Sequence, residues 1–156
     1  MSFATIRAAI KTILENDVDG IGRVHDFLRH TTFWSEMGKR HLDEQKLNDW
    51  EITRIGITQG LAAPQTQVAA EPTFDDVHLV QIIGRLGVQD SSESEKTFQD
   101  LIDNVTTALR KKSDLNQTVV KSIQPIDIVI GHESFSGILV HQAIITFEAD
   151  ERVGGC

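Results

Sequence analysis

The sequence predicts an α+β fold: a mostly antiparallel or mixed β-sheet with two main helices packed on one face. Three observations carry this expectation. Two segments repeat their apolar residues every three or four positions, as amphipathic helices do. Several runs rich in β-branched residues alternate with a period of two, and the last two follow each other in hairpin order, which favours antiparallel pairing. The chain has 156 residues, enough for one domain with its own core, so residues 1–156 are read as a single domain.

The first helix is expected over about residues 2 to 15. Ser2 can cap it, and Ile6, Ala9, Ile10, Ile13 and Leu14 share one face. Asn16, Asp17, Asp19 and Gly20 end it, the glycine being suited to the positive φ of a helix terminus. Ile21 to Leu28 suits a first strand. The stretch Thr31 to Leu47 mixes aromatic and charged residues without a clear period. Asp49 to Ile57 is a better strand, with Trp50 beginning it as a core residue. Residues 60–76 carry Pro64, Pro72 and several alanines and read as a long loop, of a length that is either functional or ordered by a partner. His78 to Leu86 is apolar enough to be a central strand.

The second helix has the stronger signature. Ser92 and Glu95 form a capping box, S-x-x-E, ahead of a stripe of Phe98, Leu101, Ile102, Val105, Ala108 and Leu109. Acids at its start and Arg110, Lys111 and Lys112 at its end match the helix dipole, which explains the basic triplet without a ligand. Thr118 to Ile130 and Ile138 to Glu148 read as two strands, joined by a generous loop bracketed by Gly131 and Gly137. Residues 149–156 read as a flexible acidic tail.

Composition narrows the function classes. Fifteen Lys and Arg face 23 Asp and Glu, a net charge of −8. Residues 1–60 hold 8 basic and 9 acidic side chains and residues 61–156 hold 7 and 14, so the excess lies in the second part. Tight binding of nucleic acid needs clustered cations and is not expected. Charged residues are 24% of the chain and no apolar run approaches the roughly 20 residues of a spanning helix, so no membrane association is expected. Arg7 and Lys11 interrupt the apolar N-terminal segment, unlike a secretory signal, which points to a soluble protein of a cytoplasm. Cys156 is the sole cysteine, which excludes an intrachain disulfide and a Cys-rich zinc site.

No constellation for chemistry emerges. The six histidines lack the i, i+4 spacing with an adjacent Glu that marks a helical metal site, and are read as scattered surface or half-buried imidazoles. There is no G-x-S-x-G elbow and no complete glycine-rich phosphate loop. The carboxylate groups Asp17 with Asp19, Asp75 with Asp76, and Glu148 with Asp150 and Glu151 lie at predicted element ends, where solvated acids are the default. The expectation is a non-enzyme with no catalytic residue, metal or cofactor.

Two segments without regular period nevertheless contain large apolar groups: Phe33, Trp34 and Met37 in one, Leu61, Val68 and Phe74 in the other. Exposed together they would make a sticky patch, so burial against another chain is the simpler expectation, and these six are the candidate interface residues.

The segments FATIRAAIKTIL, VHDFL, WEITRIGI, HLVQIIGRLG, TFQDLIDNVTTALRKK and LVHQAIITFEADE, in that order, resemble the tail terminator, or tail completion, proteins of tailed bacteriophages. The resemblance covers about residues 3 to 150 and lies in element order, length and the helix placed before the final strand pair. It implies a structural virion protein, assembled in the host cytoplasm, that forms a homo-hexameric ring at the head-proximal end of the tail tube. Such a ring stops tube polymerisation and joins the tail to the head connector or neck. The implied partners are the tail tube protein, the head-tail connector or neck protein, and DNA passing through the lumen without sequence-specific binding. An acidic wall would help, because it repels phosphates. Two other readings stay open: another head-tail adaptor or neck ring subunit, and a small α+β ligand-binding domain or enzyme.

Overall fold

A computed structural model describes residues 2–28, 42–43, 46–61, 73–89, 93–119, 125–135 and 137–153. The elements run α1 (Phe3–Asp17), β1 (Arg23–His25), β2 (Leu42–Asp43), β3 (Lys46–Leu61), β4 (Phe74–Gly87), α2 (Ser94–Lys111), β5 (Ile126–Phe135) and β6 (Ile138–Val153). The sheet order is β1-β3-β4-β6-β5, with β2 paired antiparallel to β3. Among the described strands only β1 lies parallel to its neighbour, so the sheet is mixed and the α+β expectation holds.

Both helices lie on one face of the sheet. α1 buries Phe3, Ile6, Ile10, Ile13 and Leu14, and α2 buries the whole predicted stripe from Phe98 to Leu109. They meet Trp50 and Ile52 of β3, Val80 and Ile82 of β4, and Ala143, Ile145, Phe147 and Ala149 of β6. Alternation along the strands sends the intervening side chains to the opposite face. There Leu47, Phe135 and Val140 form a second, smaller apolar cluster.

Trp50 organises the centre. Its indole ring lies over Gly84, directly opposite it on β4, and a Cβ at that position would overlap the ring. The indole N–H donates to Asn48 Oδ1 at 3.1 Å, while Asn48 Nδ2 donates to the Gly20 carbonyl at 2.9 Å. The buried donor is thereby satisfied, and the α1–β1 connection is tied to β3. Phe98 of α2 closes the other side, with ring centroids 6.1 Å apart.

Several expected boundaries are corrected. The strand read over Ile21 to Leu28 shrinks to Arg23–His25, paired with Asp49, Trp50 and Glu51 of β3; just beyond it the Asp26 carbonyl accepts from Arg7 Nη1 of α1 instead. The loop read over 60–76 is shorter. β3 continues to Leu61 and β4 starts at Phe74, joined by the pairs Gln59↔Asp76, Gly60↔Asp75 and Leu61↔Phe74; the rest of that loop, with Val68, lies outside the described residues. Helix α1 runs two residues further than expected, and Ser2 occupies its N-cap position without a side-chain cap bond.

Helix α2 starts at Ser94, with Glu93 at the N-cap in a left-handed conformation (φ 54°) and no side-chain cap bond, so Ser92 is not its cap; Ser92 lies outside the described residues. The strand read over Thr118 to Ile130 is instead Ile126–Phe135. Leu115, Asn116 and Gln117 have φ of 47°, 56° and 68°, and Thr118 Oγ1 donates to the Leu115 carbonyl at 2.8 Å, so this stretch closes the helix rather than extending a strand. The generous loop between Gly131 and Gly137 contracts to a tight turn: pairing persists to Phe135↔Ile138, and Gly137 supplies the positive φ of 80°. The tail read over 149–156 is corrected as far as Val153, where β6 still pairs with β4; residues 154–156 lie outside the described residues.

Candidate interaction surfaces

Of the six residues marked out by the sequence, Phe33, Trp34, Met37 and Val68 lie outside the described residues. Leu61 and Phe74 are described and are brought together as directly opposed residues of β3 and β4, with Phe74 in turn opposite Val153 of β6. Directly opposed residues point to the same side of a sheet, so the three form one apolar row. It sits at the end of the strands that the helices do not reach. Leu61 is 71% exposed, Phe74 41% and Val153 37%. With Gln59, Gly60 and Asp76 they line a shallow groove of about 480 Å³. Gln59 Nε2 donates to Asp76 Oδ2 at 3.3 Å. Sequence reasoning found Leu61 and Phe74 but not Val153, because it placed the last strand's end in a flexible tail.

A second exposed apolar run follows the outer strand. Among the described residues β5 pairs with β6 alone, and it exposes Ile128, Val129 and Ile130, the middle one by 67%. The opposite side of the sheet has a matching feature. Beyond the three residues that hold β1, the outer edge of β3 has no strand partner among the described residues, and Ile55 and Ile57 are 51% and 41% exposed there. A β-bulge between Arg54 and Gly56 twists this edge.

Polar side chains cluster at three places that spacing in the sequence does not reveal. On the helix-covered face, Glu151 accepts from His78 Nε2 at 2.9 Å, and Arg54 Nη1 lies 3.3 Å from His78 Nδ1. Arginine has only donors, so Nδ1 accepts and the imidazole proton sits on Nε2, facing the carboxylate. The guanidinium groups of Arg7 and Arg54 both lie against the Phe3 ring.

The second cluster joins Ser94, His141 and His132. Gln89 N–H donates to Ser94 Oγ at 2.8 Å, and Ser94 Oγ lies 2.9 Å from His141 Nε2. Phe98 stacks on His141, and the His132 ring centroid is 4.9 Å away. A serine and a histidine at this distance have the separation of a nucleophile and its base. Both are buried, however, and the hydroxyl is already engaged by a backbone amide; its geometry is that of a tie between the start of α2 and β6. Burial, and then the nearby His132, lower the His141 pKa from its ordinary 6.5, with Glu95 opposing. The native state therefore prefers neutral His141. Stability from this site is present above the unfolded-state pKa and falls as pH drops through about 6.5 towards the lower native pKa. Denaturant titrations between pH 8 and 5 should show this fall, and His141→Gln should make the profile flatter. An unchanged profile would dismiss the effect.

The third cluster lies on the opposite face. Arg85 Nη1 contacts Glu51 and lies 3.6 Å from Asp49 Oδ2, with its guanidinium 4.5 Å from the Phe135 ring centroid. Asp49 and Glu51 are buried, as are Asp150 and Glu151. The reading of acids near strand ends as solvated is corrected for Asp150 and Glu151, and that of histidines as surface or half-buried groups for His25, His78 and His141, which are buried. The sheet extends further than its sequence pattern suggests, so end residues become interior ones.

At the C-terminal ends of both helices a polar cleft of about 370 Å³ is lined by Asp17, Asp19, Asn104, Thr107, Lys111 and Lys112. Lys112 and Asp17 bridge it at 3.0 Å, so the basic triplet partly serves to join the two helices. Among the described residues no group of His, Cys, Asp and Glu is placed to hold a metal ion, and no helix is long and apolar enough to cross a membrane. No protein-family model matches the chain, and no curated protein matches it in sequence.

Proposed function

We propose that the chain is a structural subunit that assembles into a closed ring and acts as the terminator of a bacteriophage tail tube, at the junction between tail and head connector. The observation that carries this reading is the exposed row of Leu61, Phe74 and Val153, which lies where the helices do not cover the sheet and has the character of a contact surface. The resemblance in element order to tail terminator proteins supplies the ring, its six-fold number and its place in the virion. A heterologous contact repeated around an axis closes such a ring.

The distribution of charge is compatible with a lumen. Asp127, Glu133 and Glu148 are exposed and project from the sheet face opposite the helices. That face turned inward would repel DNA phosphates and let the duplex slide. The acidic excess of residues 61–156 serves only partly in this role, since Asp150 and Glu151 are buried and Asp75 is bound to Arg152 at 3.0 Å.

Electron microscopy of the purified protein, alone and mixed with tail tubes, tests the reading: rings alone and capped tube ends in the mixture are expected. Binding to portal rings instead of tubes would move the protein to the neck. Leu61→Asp and Phe74→Asp place a charge on the exposed row, should change the melting temperature by less than about 0.5 kcal/mol would, as surface substitutions do, and should abolish capping. Normal capping by both variants would remove this row from the interface.

A further inference from the structure

The two exposed strand edges fit each other. We propose that β5 of one subunit pairs with the outer edge of β3, residues 52–61, of a second copy of this chain, so that the sheet continues from subunit to subunit. This rests on the ring reading and names the contact that would close it.

Strand direction supports the pairing. β3, β4, β6 and β5 are each antiparallel to the next, so β3 and β5 run in opposite directions. A neighbour related by rotation about an axis along the strands presents its β3 antiparallel to β5, with the helix-covered faces of both subunits on the same side. The backbone donors and acceptors on both outer edges then find partners, which is the usual hazard of an exposed edge turned to use. The apolar side chains also correspond. Ile128, Val129 and Ile130 on β5 would meet Ile55 and Ile57 on β3, all of them exposed in the single subunit.

Charge favours this pairing over a two-fold one. Residues 52–61 carry Arg54 as their one charged side chain, whereas β5 carries Asp127 and Glu133. A β5–β5 dimer with its two-fold axis at Ile130 would set Asp127 opposite Glu133 of the other copy, twice, and like charges directly opposed on a sheet are destabilising. Pairing of β5 with β3 avoids this contact, because residues 52–61 present no carboxylate to Asp127 or Glu133. It also leaves a free edge at each end of every dimer, so growth continues until the ring closes.

Lysine substitutions that block one edge at a time test the proposal, with assembly read by sedimentation velocity and the fold by circular dichroism. Val129→Lys and Ile55→Lys should each give folded monomers in place of rings. An equimolar mixture should give dimers and nothing larger, because one variant keeps an intact β3 edge and the other an intact β5 edge. Dimers formed by Ile55→Lys alone would show β5 pairing with itself and overturn the proposal. Rings formed by both single variants would also overturn it while leaving the ring reading intact. A wild-type protein that stays monomeric would defeat the ring reading, and this contact with it.

Discussion

Trp50→Ala is expected to lower stability by about 3–5 kcal/mol, the range for deleting a large aromatic side chain from a close-packed core. Trp50 is fully buried, spans the space between Gly84 and Phe98, and holds Asn48 against Gly20 through its indole N–H. Its truncation would therefore open a cavity and loosen the tie to the α1–β1 connection. The same geometry makes a second, more diagnostic expectation. Gly84→Ala introduces a Cβ into the ring's position, and overpacking of this kind typically costs about 1–3 kcal/mol. In a Trp50→Leu background the clash partner is gone, so the cost of Gly84→Ala should shrink. A double-mutant cycle by urea denaturation measures the coupling. Additive losses would show that the close approach of ring and glycine is not what makes Gly84 necessary.

Arg85→Met should be of similar size. The guanidinium sits against two carboxylates, Glu51 and Asp49, that are 2% and 0% exposed, and is itself only 11% exposed. Removing the cation of a buried charge cluster typically costs about 3–5 kcal/mol. Methionine retains much of the apolar stem against Phe135, so the loss reports charge more than packing. Adding Asp49→Asn and Glu51→Gln to the Arg85→Met variant removes the two carboxylate charges that faced the guanidinium, and should recover much of the stability. If the triple variant is no more stable than Arg85→Met alone, packing and not charge accounts for the loss.

The residues of the interface reading divide in an informative way. Leu61 and Phe74 were legible as apolar groups in a segment with no helical or strand period, yet their opposition across two strands was not. Backbone pairing extends the β3–β4 ribbon past the point where alternation in the sequence fades, since polar and glycine positions such as Gln59 and Gly60 pair as well as apolar ones once a neighbouring strand is present. The exposed edges are a similar case. Ile128 to Ile130 read as strand because of their β-branched side chains, and nothing in that pattern distinguishes an outer strand from a central one.

By itself the sequence determined the local periodicities: two amphipathic helices with their buried faces, the central strands, Trp50 as a core residue and the hairpin order of the last two strands. Those features depend on the spacing of apolar residues within one segment, which the chain carries directly. Only the tertiary structure decided where the strands end, that β1 pairs parallel to β3, and that Ser94 meets His141, His78 meets Glu151, and Arg85 meets Asp49 and Glu51. These contacts join residues far apart along the chain, except within β3, and arise from register between strands and the seating of helices on the sheet. A one-residue change of register would send every side chain of a strand to the other face, so spacing within a segment cannot specify them.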